Sequence, residues 1–124
     1  MAKVKKQWLV VSAIGIITVT LISGATAKAD DLADAKQNYQ TFCAKCHGDS
    51  GKGDGASAAT LATKPRDFAD CARMAKESDE VLFKVIKEGG KANGFSGDMQ
   101  AWSQGFDDSE IHSLVAYVRT FCKK

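Results

Sequence analysis

Apolar side chains recur every three or four residues in three stretches of the chain, which is the spacing of one face of an α-helix. No stretch of useful length alternates apolar and polar residues as a half-buried strand does. The pattern therefore predicts an all-α fold of three to five helices. The apolar faces consist of Leu32, Ala35, Tyr39 and Phe42 in the first stretch, of Val81, Leu82, Val85 and Ile86 in the second, and of Ile111, Leu114, Val115, Val118 and Cys122 in the third.

Polar residues and glycines predict where these helices begin and end. We expect the first helix from about 31 to 46. Ser78 is a good N-cap for the second helix because its hydroxyl can accept a bond from a free backbone N–H, and Gly89-Gly90 ends that helix. Asp107, followed by Glu110 three residues later, forms a capping-box pattern at the start of the last helix.

Turn signals dominate the chain between the first and second of these helices. Residues 48–55 are too rich in Gly and Asp for regular structure, and they lack the G-K-[ST] ending of a phosphate-binding P-loop. We expect an irregular loop there, followed by a short helix at 56–62. Pro65, the only proline, makes the turn 63–66 rigid.

The N-terminus is typical of a secretory signal peptide. Three lysines stand among the first six residues, residues 8–22 are apolar and uncharged, and Ala27-Lys28-Ala29 offers a small-residue cleavage site before Asp30. Ala25-Thr26-Ala27 is a second candidate site. An uncleaved anchor is the alternative, but the apolar run is shorter than the roughly twenty residues of a spanning helix. We expect residues 1–29 to be removed and residues 30–124 to form one periplasmic domain, soluble after cleavage.

Cleavage changes the charge of the chain. The formal charge of +2 includes the lysines of the signal peptide, whereas residues 30–124 carry 13 Lys and Arg against 15 Asp and Glu, which gives −2. We do not expect a domain with this charge to bind nucleic acid. So short a chain buries only a small core by itself, and a large apolar prosthetic group at its centre would stabilise it.

The run Cys43-Ala44-Lys45-Cys46-His47 has the C-x-x-C-H spacing of a c-type haem attachment site. On one helical turn, Cys43 and Cys46 can both reach one edge of a porphyrin as thioethers, and His47 is turned towards the iron as the proximal ligand. A zinc knuckle or a thioredoxin-like pair shares the C-x-x-C spacing, but export favours haem over both. We expect one covalently bound haem c with its iron.

The distal ligand decides between electron transfer and ligand binding, because an iron with two strong protein ligands has no open position. Beyond the signal peptide the thioethers are Met74 and Met99. Met99 follows a Gly-rich stretch that can wrap round the haem, and we predict it as the ligand, whereas Met74 is expected to fill the core. A Cys71 thiolate, which would suit small-gas binding, remains an alternative, and His112 is expected on the solvated side of the last helix.

Two further positions are predicted from their place around the haem. A carbonyl in the turn 63–66, beside Pro65, is expected to accept the Nδ1 proton of His47. Trp102 is expected near the haem because it follows Met99 by three residues.

Cys71 and Cys122 lie outside the haem motif and both reach an oxidising compartment. Cys122 lies on the apolar face of the last helix, so a disulfide between the two is expected. Free or intermolecular thiols are the alternatives, beside iron ligation by Cys71.

These motifs together resemble the class I monohaem cytochromes c, particularly the small bacterial periplasmic ones, over essentially all of residues 30–124. The residues that carry the resemblance are Asn38 to Gly48 around the C-x-x-C-H run, the G-x-G-D-G loop Gly51 to Gly55, the K-P-x-D-F turn Lys64 to Phe68, Met99 with Trp102, and Leu114 to Val118. One departure is Gln100, because the family usually has Pro after the ligand Met.

The resemblance implies a small cytochrome c fold in which the first and last helices cross, with Ala35 and Tyr39 near Leu114 and Tyr117. It also implies a monomeric, non-enzymatic, periplasmic one-electron carrier that docks transiently with redox donors and acceptors. Small interfaces are expected for such encounters. A basic ring round the haem edge would consist of Lys45, Lys52, Lys64 and Arg66. A peroxidase-like haem enzyme or gas sensor is the rival, and the sequence supplies no convincing distal His or Arg for it.

Overall fold

The computed structural model of the chain describes residues 28–122. Most of the predicted signal peptide, residues 1–27, lies outside this range, so its removal stays a prediction. Within residues 28–122, no helix is both long and apolar enough to cross a membrane.

The described chain is helical, and no strand occurs between residues 28 and 122. This confirms the all-α prediction. Two single 3₁₀ turns lie between the helices. A π-helical turn divides the first predicted helix into α1 and α2. The elements are α1 (Ala29–Asn38), the π turn (Tyr39–Cys43), α2 (Ala44–His47), a 3₁₀ turn (Ala58–Thr60), α3 (Cys71–Met74), α4 (Asp79–Glu88), a 3₁₀ turn (Lys91–Asn93) and α5 (Asp108–Thr120).

The predicted caps of α4 and α5 are confirmed. The hydroxyl of Ser78 accepts a bond from the N–H of Val81 at 3.2 Å. At α5, the Asp107 carboxylate accepts from the N–H of Glu110, and the Glu110 carboxylate accepts from the N–H of Asp107, both at 2.9 Å. Helix α4 ends at Gly89, whose φ of +85° is a conformation that side chains disfavour.

The short elements differ from the predicted ones. The helix expected at 56–62 is only the 3₁₀ turn Ala58–Thr60, because the N–H groups of Thr60 and Leu61 bond the carbonyls three residues earlier, at 3.1 and 3.3 Å. The turn Lys91–Asn93 was not predicted, since its order comes from bonds to the end of α4.

The core lies where α1 and the π turn cross α5. Ala35 and Leu114 are each 1% exposed, and the rings of Tyr39 and Tyr117 lie 5.2 Å apart. The crossing implied by the family resemblance is therefore present. The buried cluster consists of Ala35, Tyr39, Ala44, Phe68, Met74, Phe106, Ile111, Leu114 and Val118.

Two predicted apolar faces need correction. Phe42 was expected in the core but is 46% exposed, because the π turn moves the next buried position from the α-helical spacing to Ala44. On α4 no side chain is fully buried, and Phe83, which was not predicted, packs on the core beside Leu82 and Ile86. Val81 and Val85 are half-buried. The buried face of α5 is as predicted, with Cys122 half-buried just beyond the helix end.

The buried hydroxyl of Tyr39 donates to the carbonyl of Gly48 at 2.8 Å and so ties the π turn to the end of α2. Tyr39→Phe removes this donor, and the carbonyl of Gly48 keeps only the bond from the N–H of Gly51 at 3.1 Å. We expect a loss of about 1 kcal/mol in the free energy of unfolding, measured by denaturant titration. Tyr117→Phe is the matched control, because its ring belongs to the same cluster and we expect a change within about 0.5 kcal/mol. Equal effects in both variants would contradict this role for the Tyr39 bond.

Candidate functional site

The π turn decides where the C-x-x-C-H side chains lie on the helix. Ala35, Tyr39 and Ala44 are the buried positions, so the spacing along the helix is four residues and then five. The extra residue places Ala44 against the core where an uninterrupted α-helix would place Cys43. Cys43 is half-buried against the core, Cys46 is half-buried as well, and neither is bonded to another cysteine.

The Cys43 thiol is neutral at physiological pH. Burial, with a smaller contribution from nearby Cys46, raises the pKa of Cys43 to about 11. Within residues 28–122, no group of three or more His, Cys, Asp or Glu side chains is arranged to hold a metal ion.

His47 is held in one tautomer. Its Nδ1 lies 3.2 Å from the carbonyl oxygen of Arg66, and since a carbonyl can only accept, Nδ1 carries the proton. Burial lowers the pKa of His47, and the bond to Arg66 opposes this only in part. The imidazole is therefore neutral, with the lone pair of Nε2 available to a metal. The prediction that a carbonyl of the turn 63–66 accepts this proton is confirmed, with Pro65 adjacent to the acceptor.

Phe68 contacts the same imidazole from one side. The two rings are stacked with centroids 4.5 Å apart and planes 16° apart, and Phe68 is 9% exposed. The N–H of Phe68 donates to the carbonyl of Gly51 at 2.6 Å, which ties the turn to the glycine-rich loop. Phe68 belongs to the K-P-x-D-F turn, but its contact with His47 was not predicted from the sequence.

The glycine-rich loop folds back over the helix end that carries the motif. The N–H groups of Gly53 and Gly55 donate to the carbonyls of His47 and Cys46 at 2.8 and 3.2 Å. A Cβ on Gly55 would collide with the carbonyls of Ala44 and Lys45, so only glycine permits this approach. The loop thus satisfies carbonyls at the end of α2 that the helix leaves unpaired.

The structure separates the candidates for the distal ligand. Met74 is 2% exposed within the core, as predicted. Cys71 lies within disulfide distance of Cys122, with Cα atoms 5.2 Å apart. His112 is exposed, as predicted, and stacks on Phe83 at 4.3 Å. Met99 is half-buried in the connection between α4 and α5, and its ligation stays a prediction.

An aromatic cluster joins the helix before Cys43 to the chain after Met99. The Phe42 ring lies 5.7 Å from that of Trp102 and 5.6 Å from that of Phe106. Trp102 is therefore beside the residue that precedes the attachment motif, and its contact with haem stays a prediction. The periodicity assigned Phe42 to the core because Phe42 follows Tyr39 at α-helical spacing, whereas the π turn buries Ala44, five residues after Tyr39.

Of the four predicted basic residues, three are exposed and the fourth, Arg66, is engaged in an ion pair. Lys45, Lys52 and Lys64 are exposed. Arg66 forms an ion pair with Glu77 at 3.0 Å and lies over the exposed ring of Phe95, 5.5 Å from its centroid.

Comparison with known proteins finds relatives that are described as c-type cytochromes or as cytochrome c oxidase subunits. The family model described as "Cytochrome C oxidase, cbb3-type, subunit III" matches residues 30–118. The chain is 33% identical over 106 residues to "Cbb3-type cytochrome c oxidase subunit CcoP" of Azospirillum sp. (strain B510), covering 81% of this chain and 32% of that protein. The chain thus spans about a third of the length of this relative.

Two solved structures share the fold. The KustC0563 c-type cytochrome superposes with a TM-score of 0.59 and 30% identity, over 72% of this chain and 98% of that one. A chain of the Kuenenia stuttgartiensis reducing HAO-like protein complex Kustc0457/Kustc0458 gives a TM-score of 0.64 over 79% of this chain and 46% of its own. At 24% identity, the second likeness concerns the fold alone.

A bridge between Cys71 and Cys122 would close a loop of sequence separation 51. We expect Cys71→Ser and Cys122→Ser each to lower the free energy of unfolding by about 4 kcal/mol on the chain-entropy estimate. The double variant should cost little more than either single one, because all three lose the same bond. Thiol titration of the unreduced, denatured protein checks the bridge directly, and two reactive thiols from Cys71 and Cys122 would refute it.

Proposed function

The chain belongs to the cytochrome c family described as cytochrome c oxidase, cbb3-type, subunit III, and from that membership we propose that it is a periplasmic one-electron carrier whose iron is ligated by His47 and Met99. Haem-based electron transfer and covalently attached haem c with its iron are properties of this family. When bound, the haem iron accepts and releases one electron by changing between its ferric and ferrous states. The residues that bind it, and the role as a free carrier, are the proposal.

The residues at the end of the first helix fit this group. Two cysteines without a disulfide partner, Cys43 and Cys46, would supply the thioether attachments. His47 would supply a neutral imidazole whose Nε2 is available because Nδ1 donates to Arg66. This arrangement is the single observation that carries the proposal, since a proximal ligand must be both neutral and fixed in orientation.

Met99 is proposed as the distal ligand because the other candidates are engaged elsewhere. Met74 is in the core and Cys71 lies against Cys122. A thioether from Met99 would stabilise the reduced iron relative to a second imidazole and so raise the reduction potential. With both axial positions occupied, the site would transfer electrons without binding a substrate.

The partners are proposed to be redox proteins that dock transiently, with the chain acting as a monomer and not as an enzyme. Exposed Lys45, Lys52 and Lys64 supply positive charge near the attachment motif for such encounters. A gas-binding protein with a Cys71 ligand is the second candidate from sequence reasoning. The pairing distance between Cys71 and Cys122 argues against it.

Substitution of Met99 tests the ligand assignment. The oxidised wild-type protein should show the weak far-red absorption typical of sulfur bound to ferric iron, and Met99→Ala should abolish it. Met74→Ala is the matched control, because it removes the other thioether of the described chain. It should keep the band while lowering the free energy of unfolding by about 2–5 kcal/mol.

Two spectra would contradict the assignment. A band that persists in Met99→Ala excludes Met99 as the ligand. A band that disappears in Met74→Ala, with the helices still folded by circular dichroism, assigns the sulfur to Met74 instead.

A further inference from the structure

The connection that carries Met99 packs directly on the backbone at the end of α4. Gly89 and Gly90 are both buried, and the N–H of Gly90 donates to the carbonyl of Met99 at 2.8 Å. A Cβ on Gly89 would lie 3.0 Å from that carbonyl oxygen and 3.0 Å from the N–H nitrogen of Ala101. The two glycines therefore form a corner on which the Met99 segment rests.

Asn93 fixes this corner from the other side. Its side-chain amide donates to the carbonyl of Gly89 at 2.9 Å and to the carbonyl of Lys84 at 3.2 Å. The amide also lies 3.5 Å from a carboxylate oxygen of Glu88. The backbone N–H of Asn93 donates to the carbonyl of Gly90 at 3.0 Å. One half-buried residue thus bonds the last turn of α4 through its side chain and the corner through its backbone.

The chain after Met99 returns to the same helix end. The N–H of Trp102 donates to the carbonyl of Ile86 at 3.0 Å, and that of Ser103 donates to the carbonyl of Lys87 at 3.3 Å. These are carbonyls that the last turn of α4 leaves without a helical partner. Met99 and the residues after it, Trp102 and Ser103, are consequently hydrogen-bonded to the C-terminal end of α4. Asn93 is hydrogen-bonded to the same helix end.

We propose that Asn93 is a positioning residue for Met99, holding the Gly89-Gly90 corner in the arrangement that presents the Met99 side chain to the iron. This inference rests on the proposed function in that Met99 is the distal ligand. The family that the sequence resembles usually has proline directly after the ligand Met, where this chain has Gln100. In this inference the hydrogen bonds at the end of α4 restrict the backbone around Met99, as a proline ring would do.

Amide hydrogen exchange of the haem-containing protein tests the positioning role. In Asn93→Ala we expect the N–H groups of Gly90 and Trp102 to exchange roughly five- to tenfold faster, the effect of losing about one net hydrogen bond. The buried amides of α5 should exchange at the wild-type rate. Lys91→Ala is the matched control, because Lys91 is exposed and stands on the same 3₁₀ turn. It should leave the exchange of both amides unchanged.

A urea titration adds a spectroscopic readout at the ligand itself. In Asn93→Ala the far-red absorption of the oxidised protein should disappear at a lower urea concentration than in the wild type, while the loss of helical circular dichroism keeps its midpoint. Release of the sulfur before global unfolding is the signature of a loosened ligand segment, which a merely structural residue would not produce.

The outcomes separate this inference from the ligand assignment. Wild-type exchange at Gly90 and Trp102 in Asn93→Ala, or a uniform acceleration that includes α5, would overturn the role of Asn93. An equal shift of the far-red and helical midpoints would overturn it as well. If the band is absent from the wild type or survives Met99→Ala, the ligand assignment fails, and the exchange rates still decide whether Asn93 holds the segment.

Discussion

One helix must pack against α5 and also present a C-x-x-C-H motif beside the core, and the π turn from Tyr39 to Cys43 makes both possible. Before the turn, Ala35 and Tyr39 face α5; after it, Ala44 continues the buried face in place of Cys43. The hydroxyl of Tyr39 spans the turn by bonding the carbonyl of Gly48. The motif therefore follows the main helix crossing without interrupting it, with Cys43 packed against the core.

Two separate contacts between segments distant in sequence hold His47 and the chain that carries Met99, the proposed distal ligand. In the first, the turn that contains Arg66 and Phe68 provides a carbonyl for Nδ1 of His47 and a ring stacked on its imidazole. In the second, the corner at Gly89-Gly90 receives the Met99 segment. These contacts are hydrogen bonds to backbone carbonyls, a stacked aromatic pair and close approaches to glycine, so the geometry depends on packing more than on charged side chains. Such a site suits electron transfer, which requires the same geometry in both oxidation states.

The strong local signals in the sequence predicted most of the fold. Helices α4 and α5 have side-chain caps that act within three residues, so Ser78, Asp107 and Glu110 were enough to predict where they begin. The carbonyl partner of His47 was likewise predictable, from the position of Pro65. The family to which the chain belongs was recognisable from these motifs.

What could not be predicted depends on contacts between distant residues. The π turn changes the buried face by one residue, whereas α-helical spacing from Tyr39 favoured Phe42 over the smaller Ala44. Phe68 gains its role only when the turn folds against His47. Asn93 was an ordinary polar loop residue until the structure placed its amide at the end of α4.

Carbon monoxide tests most directly whether the iron is closed by two protein ligands. Carbon monoxide binds ferrous haem that has an open or weakly held axial position. We expect the absorption spectrum of the reduced wild-type protein to be unchanged by carbon monoxide at neutral pH, because in the proposed assignment His47 and Met99 occupy both positions. Rapid conversion to a carbon monoxide adduct in the folded protein would contradict the electron-carrier function and favour a ligand-binding haem protein.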